Sequence, residues 1–297
     1  MKKIRLSVSL LFITVFIVAL FLMNCAVPTK IPGPKFYELK YQLAEGTKFT
    51  ITTTGEVSSI VDQMGTEVVV DIYGEGEDIY VVSSTQKEKG LTVEMEFGER
   101  SQTIESPQGS ASTDFADLIG KKVKFVLFQN GKVEGFEGFD TLPEIKTSAG
   151  DVLNAETYKL GVKAAFPLLP DKPVKIGDSW SDIQDINIPL GEYTLLSENN
   201  FTYTLIEETE KDGFDCLKID LKGVLKLSGD FEQAGTPLSL ERETTSSGTL
   251  YFAHKKGMFI RVETDSTAEG IITVPSAGID IPQTITSKSS VTVQLEK

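Results

Sequence analysis

Residues 91–97 read LTVEMEF. Leu91, Val93, Met95 and Phe97 fall on one side of an extended chain, and Thr92, Glu94 and Glu96 on the other. Side chains alternate faces along a strand, so this pattern suits a half-buried antiparallel strand. A helix of 3.6 residues per turn would scatter the same apolar positions around its surface. The alternation recurs in FYELKYQL (36–43), where Tyr37, Leu39, Tyr41 and Leu43 oppose Glu38, Lys40 and Gln42. It returns near the end of the chain, where Val291, Val293 and Leu295 oppose Thr292, Gln294 and Glu296. Two stretches, Ile79 to Val82 and Phe125 to Phe128, are apolar on both parities and are expected to need cover on two faces, from packing or from a ligand.

Turn signals separate these runs. Asn130-Gly131, inside KFVLFQNGKVEGF, is a two-residue hairpin signal, and Lys89-Gly90, Asp212-Gly213 and Lys256-Gly257 read as further hairpin tips. Helix signals are few. GDVLNAETYKLGVKAA (150–165) is the longest, stopped by FPLLPDKP, and SASTDFADLIGKK (110–122) offers one short turn closed by Gly120. The expected fold is mainly β, built from curved antiparallel sheets in two related halves with one or two helices packed against them.

The two halves are read from an internal echo. EGTKF (45–49) resembles IGDSW (176–180). TQKEKGLTVEMEF (85–97) resembles ETEKDGFDCLKIDL (208–221), and KKVKFVLFQNGKVEGFEGFD (121–140) resembles GTLYFAHKKGMFIRVETDST (248–267). The matches keep one order and nearly one offset, as a duplicated unit would. The halves are then 36–165 and 181–297, joined by a strap over 166–180, FPLLPDKPVKIGDSW. Pro167, Pro170 and Pro173 hold the strap extended, and Phe166, Leu168, Leu169, Val174 and Ile176 give it apolar side chains to bury. Phe166, Leu168, Leu169 and Trp180, the single tryptophan, are the candidate core or ligand-facing residues.

The chain opens with MKKIRLSVSLLFITVFIVALFLMNC. A basic head, Lys2, Lys3 and Arg5, precedes an apolar run, which is the form of an export signal over residues 1–24. Cys25 follows as the expected lipid attachment point, and AVPTKIPGPK extends it into a Pro-rich tether, giving a linker segment over 25–35. An uncleaved membrane anchor is the competing reading, since the run approaches the length of a spanning helix. With 29 basic and 43 acidic residues the net charge is −14, a surface that repels nucleic acid.

Little in the chain signals catalysis. His254 is the single histidine and sits beside Lys255 and Lys256 at a predicted turn, which is a poor setting for an oriented base. Cys216 lies on the parity opposite Leu217, Ile219 and Leu221 and is expected on a second, partly covered sheet face. Acids crowd together at Glu75, Glu77 and Asp78 and at Asp178, Asp182 and Asp185, without a recognised cation-binding spacing. No nucleophile elbow, phosphate-cradling loop or dinucleotide fingerprint occurs. No catalytic, metal or cofactor residue is assigned.

Leu22-Met23-Asn24-Cys25 resembles a lipobox, although Asn24 stands where a small residue is usual. With the proline tether, the two-part β body and the hinge P-D-K-P-V-K-I-G-D-S-W (170–180), the chain resembles uncharacterised bacterial envelope lipoproteins of the domain-of-unknown-function type. That resemblance implies no activity and no site residues. The architecture is loosely similar to bacterial lipid and lipoprotein carriers, in which a curved sheet surrounds a greasy cavity. The expectation is an extracytoplasmic, lipid-anchored envelope protein that is not an enzyme. Ala26, which is not the aspartate of inner-membrane retention, favours the outer membrane. Its role is expected to be binding an apolar ligand or lipid, or, as the alternative, serving as an adaptor for other envelope proteins.

Overall fold

Among the described residues the period-two segments become fourteen strands, with one α-helix. They are β1 (Lys48–Gln63), β2 (Thr66–Gln86), β3 (Gly90–Ser106), β4 (Gly109–Ser112), β5 (Lys122–Leu127), β6 (Val133–Glu137), β7 (Ile145–Lys146), β8 (Val152–Leu153), α1 (Ala155–Ala164), β9 (Ser179–Leu190), β10 (Tyr193–Lys211), β11 (Phe214–Gln233), β12 (Thr236–Ala253), β13 (Met258–Val274) and β14 (Ile279–Leu295). These are seen in a computed structural model that describes residues 33–63, 66–86, 90–148, 152–190, 193–233 and 235–296. The signal 1–24, Cys25 and the tether as far as residue 32 lie outside the described residues. The body, Phe36–Lys297, holds the whole hydrophobic core.

Twelve strands form one antiparallel sheet in the order β6-β5-β3-β2-β1-β14-β13-β12-β11-β10-β9, with β4 beside β3 and β7–β8 forming a separate small ribbon. β1 and β14 pair from Phe49↔Leu295 to Val61↔Gln283, so the stretches 36–165 and 181–297 are continuous within one sheet. β2, the longest strand at 21 residues, spans about 70 Å.

One local construction occurs twice. Gly46 N–H donates to Val82 O (2.8 Å) and Val82 N–H to Thr47 O (2.9 Å), while Gly177 N–H donates to Leu205 O (2.8 Å) and Leu205 N–H to Asp178 O (3.0 Å). The register slips just after Val82 in one case and just after Leu205 in the other. Three residues beyond each glycine an aromatic ring stacks on a tyrosine of the next strand. Phe49 lies 5.0 Å from Tyr80, and Trp180 lies 5.5 Å from Tyr203.

The core occupies one end of the long strands. There Phe49, Tyr80, Phe125, Leu205, Ile219, Leu250 and Phe252 face a common interior. The segment Tyr37–Leu43 alternates as the sequence predicts, with Tyr37, Leu39, Tyr41 and Leu43 buried, yet it is not a sheet strand. Its backbone bonds go instead to hairpin tips and to the strap: Tyr41 N–H to Gln129 O (2.8 Å), Gln42 N–H to Gly257 O (3.0 Å), and a two-way bridge between Tyr37 and Val174. The strap is extended and buries Phe166, Leu169 and Val174, while Ile176, expected to be buried, is 51% exposed. The doubly apolar stretches also differ from expectation. Tyr80, Val82, Phe125 and Leu127 are buried, whereas Ile79, Val81, Val126 and Phe128 are only half-covered.

α1 begins at Asn154, whose side chain accepts from Glu156 N–H (3.0 Å) and Thr157 N–H (3.2 Å), while Thr157 Oγ1 accepts from Asn154 N–H (2.7 Å). Such a capping box is worth about 1 kcal/mol. The predicted turn over 110–122 contains hydrogen-bonded turns at Phe115–Gly120 and no helix. α1 buries Tyr158 and Val162 and packs against both β6 and β9, the two edges of the sheet. Two edges that both touch one helix, about 10 Å across, lie near each other, so the sheet between them curls. The core end is therefore a sheet closed on itself through a helix.

Candidate functional site

Beyond the core the same strand face continues toward the far end, where β1 turns into β2, β9 into β10, β11 into β12 and β13 into β14. A belt of small residues comes first. Gly55 faces Gly74, Leu221 faces Gly248, and Gly223, Ser246, Ser266 and Ser287 align across β11–β14. Small inward side chains let a sheet curl without internal clashes. At Gly223 a Cβ would come within 2.4 Å of the Phe201 ring, so Phe201 fills the place of a side chain.

Past the belt the inward face mixes aliphatic side chains with small and polar ones. One row runs Ser197, Leu227, Arg242, Gly270, Gln283 and Val61 across β10–β14 to β1. The row toward the core runs Asn199, Leu225, Thr244, Ala268, Ile285 and Ser59, and the row toward the tip runs Gly229, Leu240, Ile272 and Ile281. Leu195, Ser197, Asn199, Leu238, Leu240, Ala268 and Gln283 are buried. Among the described residues only neighbouring strands make substantial contact there, whereas α1 packs on β6, β8 and β9 and on the 3-10 turn at Phe139–Thr141.

Charge on this face is sparse. Arg242 has a buried Nε without a hydrogen-bond partner, and burial holds its pKa below the usual arginine value. Nearer the core, Arg100 pairs with Asp78 and lies 4.9 Å over the Phe97 ring. Burial raises Asp78 above the usual carboxylate range, against the lowering influence of Arg100 and of the Gly98 N–H. Asp182 is likewise raised, by burial first, with Gln184 opposing through a hydrogen bond of 2.7 Å.

The opposite face mixes apolar and charged side chains, with Ile60, Val69, Tyr73, Ile183, Leu196, Val224 and Ile271 exposed on it. Lys226, Glu241, Glu243, Asp265, Glu269 and Lys288 are exposed on it. It carries two shallow depressions. One of about 700 Å³ lies between the side chains of Glu198, Lys226, Glu243 and Glu269 and those of Glu241 and Ile271. The other, of about 450 Å³, is bordered by Glu56, Tyr73, Glu75, Glu263, Asp265 and Lys288.

The residues singled out from the sequence fall in different places. Phe166 and Leu169 are buried in the core, Leu168 is half-buried, and Trp180 donates its Nε1–H to Leu168 O (3.1 Å) while stacking on Tyr203. They come together, but at the core end, where the strap and α1 fill the space. Cys25 lies outside the described residues. Cys216 sits in a small cluster with Ala253 and Ile260, its thiol pushed up to about 11 by burial. The His254 ring meets Tyr37 edge-on at 5.7 Å. The acid groups do not converge. Asp78 and Asp182 face inward, Glu75, Glu77 and Asp185 face outward, and Asp178 closes a turn by accepting from Lys175 N–H (3.0 Å).

Arg242 was not reached from the sequence, yet a signal existed. In LSLERETTSS, Leu238 and Leu240 set the inward parity, and Arg242 is a full charge on that parity.

A search among curated proteins finds no sequence match. Two solved structures align over most of the chain. One is a protein from Bacteroides fragilis NCTC 9343 described as exported with a YmcC-like fold, 8% identical, covering 87% of this chain and 99% of that one at a TM-score of 0.25. The other is the COG4313 outer membrane channel from Pseudomonas putida F1, 9% identical, covering 86% and 97% at a TM-score of 0.25. At those scores neither likeness carries an argument about this protein. The sequence profile of a family of unknown function, DUF6263, matches residues 77–259, from the middle of β2 through the β12–β13 hairpin, and the chain belongs to that family.

Proposed function

We propose that this protein is exported, held at a bacterial membrane by lipid on Cys25, and binds an apolar ligand without acting on it chemically. The export signal at 1–24 and the lipobox-like residues ending in Cys25 support the anchor. The observation that carries the binding role is the far-end inner face, where Leu225, Leu227, Leu240, Ile272, Ile281 and Ile285 lie among small and polar residues, away from the strands that α1 packs on. Apolar concave surface with a few polar groups is the usual make-up of a small-ligand site.

Two measurements test this. Labelled palmitate is expected to enter the full-length chain in bacteria and to be absent from Cys25→Ala, and equal labelling of both would refute the anchor. The chain from residue 26 carries the whole core and suits native mass spectrometry after gentle purification. Extra mass that solvent extraction returns as lipid is the expected result. A clean protein that also takes up no added lipid would end the binding reading. It would shift attention to an adaptor role for the outer face, where Ile183 is 72% and Leu196 55% exposed.

A further inference from the structure

Arg242 is at odds with its surroundings. Its neighbours across the strands are Leu227 and Gly270, and Leu240 and Thr244 flank it on its own strand. The absence of a side chain at Gly270 makes room for it. A Cβ there would lie 3.0 Å from Arg242 Cβ and 3.1 Å from Cγ, so the arginine stem lies across the glycine. None of the residues in its row or in the two adjoining rows is an acid. Its sequence neighbours Glu241 and Glu243 face outward. The chain has 43 acidic residues, so the lack of an inward partner is not for want of carboxylates. A guanidinium stays charged at physiological pH, and a half-buried charge with its Nε enclosed and unpartnered is costly unless it is paired.

We infer that the far-end inner face takes a fatty carboxylate, its acyl chain against the Leu227–Leu240–Ile272 surface and its carboxylate on Arg242. This rests on the apolar-ligand reading above and names the ligand class for the same site. One inward guanidinium balances one carboxylate, and its planar fork matches the two oxygens. Buried Gln283, across Gly270 from Arg242, adds a polar group beside the head group. The apolar rows on either side suit the hydrocarbon chain.

The test compares palmitate with methyl palmitate, the same chain without charge, by displacement of a fluorescent fatty probe from the delipidated chain beginning at residue 26. Palmitate is expected to bind about tenfold to a hundredfold more tightly than its ester, as a charge-assisted hydrogen bond in a partly buried site allows. Arg242→Gln is expected to remove that difference while leaving the ester unchanged, and Arg242→Lys to restore part of it. The acid–ester comparison in the unsubstituted protein needs no variant to fold. Equal binding of acid and ester would overturn the head-group assignment and leave the apolar site standing. Binding of neither would remove both. Preference for phosphatidylglycerol vesicles over palmitate would also overturn the assignment, in favour of a phosphate head group.

Discussion

Replacing Phe166 with alanine is expected to destabilise the body by about 3–5 kcal/mol, the usual cost of deleting a large buried ring. Phe166 is 2% exposed, and its ring centroid lies 5.8 Å from Tyr41, 6.1 Å from Tyr80, 5.8 Å from Phe125 and 6.4 Å from Phe259. Those rings belong to the segment before β1, to β2, to β5 and to β13. One side chain on the strap therefore joins both arms of the sheet, and its loss leaves a cavity that four separate pieces of chain would have to collapse to fill. Urea denaturation should show a lower midpoint at unchanged slope. A loss below about 1 kcal/mol would mean that the strap is peripheral.

Arg100→Ala is expected to cost about 3 kcal/mol or more at neutral pH, because it leaves the Asp78 carboxylate partly buried and unpaired. The two side chains are 15% and 22% exposed, so solvent screens them only in part. The loss should depend on pH. Asp78 is raised in the folded protein, chiefly by burial, so its ionisation already opposes folding. Stability linked to this group is fullest in acid and falls as pH rises through the carboxylate range. Without Arg100 the opposing influence is gone, and Asp78 moves higher still. The stability gap between the parent and Arg100→Ala should therefore narrow as pH falls from neutral through the carboxylate range, as Asp78 takes up its proton. A gap that stays constant across that interval would show that Arg100 acts through packing on Phe97 alone.

Much of the fold was legible because strands declare themselves by parity. LTVEMEF keeps Leu91, Val93, Met95 and Phe97 buried in β3 as its alternation demands. The helix signal at 150–165 contains α1, and the hairpin tips at Gly90, Gly131, Gly213 and Gly257 stand between paired strands. What alternation cannot state is the partner. FYELKYQL has the side-chain pattern of a strand, but its backbone partners are loop carbonyls contributed by Gln129 and Gly257, far along the chain. Nor does parity tell how far a core extends along a strand. β11 alternates from Leu217 to Leu227, yet the first part lies in the packed core and the last part beyond it. The strap residues drew notice for the apolar side chains set between their prolines. Arg242 and Gln283 share a row through the register of two strand pairings, which no single segment contains.

The helix between the sheet edges also bears on mechanical compliance. A barrel laced all round by backbone hydrogen bonds has a fixed girth, because widening it means breaking a ladder. Here β6 and β9 stand at the two ends of the strand order and both pack against α1, so no backbone ladder joins them. Such a joint can yield by sliding one packed element, with every strand pairing intact. The circumference of the body is therefore adjustable at one seam and stiff everywhere else.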